Sequence, residues 1–239
     1  SKSDYVLNLI IASDDPNDKA TEYLRSGAVD GAIIVSHHTS DAFIDRIAAA
    51  MPVVFGGRPV RQRERDYYVD VDNVEGGRLA TQHLLDAGRR KLATITGPTT
   101  MPGGIDRLTG FREALEAAGL SPVAIEDGDF TAAAGAAAIR RILESGVEFD
   151  GLFIASDLMA RGVLVELTRA GIRVPDDVAI VGYDDSPVAT SVSPTLTTVR
   201  QPSLEQGEVM ADILLTLLAG GYPPRETLLD TQLIVRESA

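Results

Sequence analysis

The chain has 239 residues, 44% of them hydrophobic and 24% charged, an ordinary globular composition for one large or two small domains. Its formal net charge of −13 disfavours direct binding to a phosphate backbone, which needs Lys and Arg to neutralise phosphates. Cysteine is absent, which excludes disulfides and agrees with a reducing cytoplasm, and no apolar run nears the roughly 20 residues of a membrane helix.

Short β-branched runs alternate with stretches of helical period, the pattern of a parallel α/β sheet. Tyr5 to Ser13 reads as a strand with no small-residue cleavage site after it, so it is not read as a signal peptide. A helix follows, with Pro16 in its first turn and Gly27 past its end. Asp30 to Ser36 is a buried strand, Ser40 caps a helix running to Met51, and "PVVFGG" is a further strand. The basic stretch "RPVRQRERDYY" from Arg58 is broken by Glu64 and Asp66 and reads as a solvated loop rather than a binding patch. "YYVDVDN" is strand-like, "EGGRLATQHLLDAG" an amphipathic helix and "KLATITG" a strand.

The cycle then restarts after a break near "TGPTTMPGG". The helix "RLTGFREALEAAG" leads to a short strand in "VAIEDGDF" and an alanine-rich helix in "TAAAGAAAIRRILESG". "DGLFIAS" (strand), "DLMARGVLVELTRAG" (helix) and "DVAIVGYD" (strand) follow, and the tail adds the helix "PSLEQGEVMADILLTLLAGG" and the strand-like "TLLDTQLIVRES". In open parallel sheets ligands bind at the carboxyl ends of the strands. Asp14, Ser36, Asp72, Gly97, Ser156 and Asp184 occupy such ends.

Adjacent Asp184 and Asp185 leave metal binding, catalysis and ligand recognition open. Adjacent His37 and His38 point apart, His83 lies within a helix, and no Asp-rich calcium loop is present, so no metal site is expected. No nucleophile elbow, Walker A loop or HExxH helix occurs, and neighbouring extended residues project apart, so no enzyme is expected. Recognition of a small polar molecule fits better: a carboxylate accepts hydrogen bonds, Arg donates several in a fixed fork, and no cofactor is required.

"DGLFIASDLMARGVLVELTRAGIRVPDDVAIVGYDDSPVATSVSPTLTTVRQP" (Asp150 to Pro202) closely resembles the effector-binding core of lactose-repressor (LacI/GalR) family regulators. "YVDVDNVEGGRLATQHLLDAGRRKLATITGP", "DRLTGFREALEAAGL" and "LIVRES" resemble the same family in the same order, so the likeness covers nearly the whole chain. The fold this implies is α/β, of periplasmic-binding-protein type I, with two parallel-sheet subdomains joined by three crossovers near Gly97, Gln201 and Pro223 to Arg225. The corresponding division is 1–97 plus 202–224 and 98–201 plus 225–239. Family cores begin one strand and helix before the point where this sequence starts. That strand would lie inside the first sheet, and the family's DNA-binding head would precede it.

The resemblance carries effector binding onto Arg107, Phe130, Ser156, Asp184 and Gln201, and more weakly onto Asp72. Ser156 stands where many members have Asn. Plain alternatives are a surface salt bridge for Arg107, core packing for Phe130 and a structural loop carboxylate for Asp184. Asp157 is expected to be a helix N-cap, and Asp185 to support its loop. The function implied is the effector-binding and dimerisation core of a cytoplasmic regulator. It would take a sugar-like or nucleobase effector, form a homodimer, and reach operator DNA only through the N-terminal domain. The alternative is a periplasmic sugar-binding protein.

Overall fold

The structure is a computed structural model and describes residues 5–10, 22–24, 26–35, 47–60, 63 and 65–239. The strands fall into two sheets. The first, in the order β1-β2-β3-β9, is parallel and comprises β1 (Ala32–Val35), β2 (Val53–Gly56), β3 (Tyr67–Val71) and β9 (Glu226–Leu229). The second runs β10-β8-β7-β6-β4-β5, with β4 (Leu92–Thr96), β5 (Ala124–Asp127), β6 (Gly151–Ile154), β7 (Ala179–Asp184), β8 (Thr197–Arg200) and β10 (Gln232–Ile234). Among the described residues only β10 runs antiparallel, against β8.

Both faces of the central strands are covered, which is why these read as near-continuous apolar runs, whereas the edge strands β5 and β9 alternate exposed and half-buried residues. In the second sheet, α1 (Asn73–Asp86) and α2 (Pro102–Ala117) pack Leu84, Phe111 and Leu115 on Phe153 and Val181. On its other face α3 (Ala132–Glu144) and α4 (Asp157–Arg169) pack Ile139, Ile142, Met159 and Val163 on Ile95, Leu152 and Ile180. In the first sheet α6 (Ser203–Leu218) sets Met210 and Ile213 on Val54 and Val69. The other face gathers Ala32, Val53, Phe55 and Tyr68 around Ile47. Near neighbours in sequence therefore serve opposite faces, as strand pleating requires.

The structure departs from the sequence reading in several places. Residues 5–10 form no strand, and Val6, Leu7 and Leu9 lie exposed. An apolar run becomes a strand only with a ladder partner, and among the described residues β1 pairs on one side alone, with β2. Asp14, Pro16, Ser36, His37, His38 and Ser40 lie outside the described residues. β4, expected to close the first unit, is hydrogen-bonded between β5 and β6 of the second sheet. The tail is two strands rather than one. They divide at Asp230–Thr231, and β9 joins the first sheet beside β3 while β10 joins the second. The chain thus passes between sheets after β3, at residues 201–202 and after β9. α2 starts at Pro102, five residues before the expected Arg107, with Pro at its first position. A short helix, α5 (Pro187–Ser191), and strand β8 emerge from a stretch without clear periodicity.

One close approach fixes the site below. Where α1 crosses α2, a Cβ on Gly77 would stand 2.2 Å from the Arg107 carbonyl oxygen, and one on Gly110 would stand 1.9 Å from that of Val74. Both obstacles are backbone, so neither can rotate away. We expect Gly110→Ala to cost about 1–3 kcal/mol, seen as a melting temperature several degrees lower; an unchanged melting temperature would contradict this packing.

Candidate functional site

A cavity of about 350 Å³ opens between the two sheets, within the usual range for small-molecule sites. The first-sheet side contributes Val35, Gly56, Gly57, Arg58, Asp70 and Gln206. The second-sheet side contributes Asn73, the first turn of α2, Arg107, Phe130, Ser156, Asp184 and Gln201.

Arg107 lies at its centre and is 6% exposed. Nε donates to Asn73 Oδ1 at 2.9 Å, Nη1 to the Ala155 carbonyl at 2.6 Å and Nη2 to Gln201 Oε1 at 2.9 Å. Beneath it the buried Tyr183 ring lies 3.6 Å from the guanidinium carbon, and Phe130 flanks it at 5.6 Å. A guanidinium has five N–H donors in a fixed plane. Three are used, so one remains on each Nη. The one on Nη1 faces Asp184, whose Oδ1 is 3.6 Å away, an ion pair too long to be a hydrogen bond.

Asp184 ends β7 with φ of 110° and Asp185 follows at 52°, a left-handed conformation that non-glycine residues rarely adopt. The turn sends the two carboxylates apart. Asp184 keeps about a third of its side chain open toward the cavity, whereas Asp185 accepts from Arg200 Nε at 2.8 Å and Arg236 Nη2 at 2.5 Å. Burial would raise the Asp185 carboxyl, but the Arg236 and Arg200 hydrogen bonds outweigh it and hold it below its usual value. Among the described residues Asp184 has no arginine within hydrogen-bonding distance, and only the Asp157 backbone favours its charged form as a donor. Burial pushes the Asp184 carboxyl up to about 7, with Arg107 opposing.

Around this pair lies a polar frame. Ser156, not Asp157, is the N-cap of α4, with its Oγ accepting from Met159 N at 3.2 Å. The fully buried Asp157 accepts from Thr198 Oγ1, Ser186 N and Ser186 Oγ, fastening the loop that follows Asp185. Burial raises its carboxyl too. Asp72 is not among the lining residues; it caps α1 by accepting from Glu75 N at 2.9 Å. Its neighbours Asp70 and Asn73 take the inward places. Asp70 accepts from Arg58 N, Val71 N and Asn73 Nδ2, and burial raises it above the ordinary carboxylate value despite those bonds. On the other side Gln201 Nε2 reaches Gln206 Oε1 at 3.4 Å, and Gln206 Nε2 donates to the Val69 carbonyl at 2.8 Å.

The structure therefore brings Arg107, Phe130, Ser156, Asp184 and Gln201 to one cavity and leaves Asp72 outside its lining. Sequence reasoning missed Arg58, Asp70, Asn73 and Gln206. Asp70 carried a signal: a carboxylate at an interior position of the apolar strand "YYVDV". Among the described residues no group of three or more His, Asp and Glu could hold a metal, and no helix is long and apolar enough to cross a membrane.

A family profile for the periplasmic binding protein-like domain matches residues 81–239. The regulator CelR of Thermobifida fusca is 44% identical over 221 residues, covering 90% of this chain and 65% of CelR. A solved structure of a CelR–cellobiose complex superposes with a TM-score of 0.89 at 43% identity, covering 93% of this chain and 69% of that one. A LacI-family regulator from Mycobacterium smegmatis superposes with a TM-score of 0.84 at 31% identity, covering 93% and 84%. The chain belongs to the LacI family of transcriptional regulators. This LacI-family chain spans just under two thirds of CelR, and it matches the ligand-binding core of its relatives. Those relatives are regulators rather than enzymes, and the transport-protein alternative is not favoured.

The raised Asp184 carboxyl gives this LacI-family core a pH signature. The folded state holds that proton more tightly than the unfolded chain, so the contribution is full below the unfolded value of 3.8 and is lost as pH rises through about 7. Asp184→Asn removes it. The melting temperature of the variant relative to the parent should therefore be higher at pH 8 than at pH 5; a difference independent of pH would refute the assignment.

Proposed function

We propose that the chain is the effector-binding and dimerisation core of a cytoplasmic transcription regulator, with an uncharged, hydroxyl-rich carbohydrate as its effector. One observation carries the ligand class: among the described residues the cavity wall has no surplus positive charge. Its charged residues are Arg58, Asp70, Arg107 and Asp184, and Arg58 is already paired with Asp106. A phosphate or carboxylate would meet the carboxylates of Asp70 and Asp184, and among the described residues each cation on the wall already has a carboxylate as its counter-charge. A sugar hydroxyl instead donates to Asp184 and accepts from an Arg107 N–H in one place. Among the described residues only one aromatic ring, Phe130, lines the cavity. That suits one face of a pyranose better than a base held between two rings. The cellobiose complex of CelR supports the same class.

In this reading Arg107, Phe130, Ser156, Asp184 and Gln201 contact the effector, and the chain carries out no reaction. The division into subdomains follows the sheets: the first holds β1 to β3, α6 and β9, the second β4 to β8 and β10 with α1 to α5. A homodimer would transmit their relative movement to DNA-binding segments outside these residues, in keeping with the net charge of −13. An effector shifts that arrangement only by preferring one state of it.

The test is calorimetric titration with cellobiose at pH 8, with a sugar phosphate as the contrast. Cellobiose should bind one to one, more weakly at pH 5.5, where Asp184 is protonated. Asp184→Ala should weaken binding by about 10- to 100-fold, the loss of a charged hydrogen bond, without loss of fold. Tighter binding of the sugar phosphate would overturn the ligand class, and unchanged affinity in Asp184→Ala would overturn the role of that residue.

A further inference from the structure

Among the described residues Arg58 is the one cavity-lining cation on the first-sheet side, and its geometry is built rather than incidental. Gly57, at φ of 95°, turns the chain out of β2. The Arg58 backbone N–H then donates to Asp70 Oδ2 at 2.7 Å, which pins the turn to β3. From there the side chain reaches across to α2, 48 residues away in sequence, where Nη2 donates to both oxygens of Asp106 at 2.9 and 2.7 Å. Asp106 is not a lining residue; it stands next to Arg107 on α2, so the two arginines converge on one cavity from opposite sheets. Neither Nε nor Nη1 of Arg58 has a partner among the described residues. The cavity wall thus carries a second guanidinium, on the first-sheet side, with donors beyond those it gives to Asp106.

We propose that Arg58 is an effector contact and Asp106 its positioning residue, together forming a clasp across the cavity mouth. The contact role rests on the carbohydrate reading above and deepens it: hydroxyl or ring oxygens at the far end of the sugar accept from Arg58 Nε and Nη1. The clasp is independent of ligand identity. Because it joins first-sheet and second-sheet residues, it biases the ligand-free protein toward the arrangement in which both arginines face the ligand. A half-exposed ion pair contributes little to stability, but a small bias is enough to shift two arrangements of similar energy.

Two measurements test this. The chain has no cysteine, so Glu208→Cys on α6 and Glu144→Cys on α3, both exposed, place one spin label on each side. In the ligand-free protein the label–label distance distribution should be narrow, and it should broaden toward longer distances in Asp106→Asn and in Arg58→Gln. Arg58→Lys keeps the ion pair and should keep the parent distribution. Calorimetric titration with cellobiose should then show about fivefold weaker binding in Asp106→Asn, from the lost bias. Arg58→Lys should bind about tenfold or more weakly, from the lost donors. Distributions identical in all variants overturn the clasp, and parent affinity in Arg58→Lys overturns the contact. If cellobiose fails to bind the parent, the carbohydrate reading and the contact fall with it, while the clasp is still decided by the distance distributions.

Discussion

The site depends on how one buried cation is satisfied. A guanidinium removed from water is tolerated only where its charge and its donors find partners. Arg107 finds them in Asn73, the Ala155 carbonyl, Gln201, the Tyr183 face and Asp184. Two polar chains leave it for the first sheet. One runs through Asn73 and Asp70 to the backbone of Arg58, the other through Gln201 and Gln206 to the Val69 carbonyl. The Gly77–Gly110 crossing sets where α2 lies and hence where the fork points. The guanidinium is thereby tied by hydrogen bonds to both sides of the cavity, as the proposed coupling of ligand to subdomain arrangement requires.

Asp184 supplies the opposing half of the site. Its neighbour Asp185 is saturated by two arginines, and Asp157 behind it by three donors, so that only Asp184 keeps acceptor capacity facing the cavity. The positive φ of the turn permits this sorting of adjacent carboxylates, and backbone conformations of that kind gather at functional sites.

Much of the fold was legible because it is written locally. Apolar runs covered on both faces, glycine stops and helix caps located nearly every element from β3 to β7 within a few residues. Which sheet a strand joins was not legible. "KLATITG" would read identically in either, and Asp230–Thr231 breaks the tail only because two sheets compete for its halves. Ser156 and Asp157 both suit an N-cap, and only the donors waiting at Ser186 and Thr198 separate their roles. Arg107 and Gln201 came from family likeness, whereas Asp184 was marked as well by its place at the carboxyl end of an apolar strand. Arg58 and Asp106 escaped both, since a contact 48 residues apart leaves no periodic trace.

The central proposal is that Arg107 divides its donors, three to the protein and at least one of the remaining two to the ligand. A crystal structure of the chain with cellobiose tests it most directly. The account predicts sugar hydroxyls within hydrogen-bonding distance of Arg107 Nη1 or Nη2 and of the Asp184 carboxylate, with the bonds to Asn73, Ala155 and Gln201 intact. A sugar bound away from this pair, or an Arg107 that abandons those three partners to reach it, would contradict it.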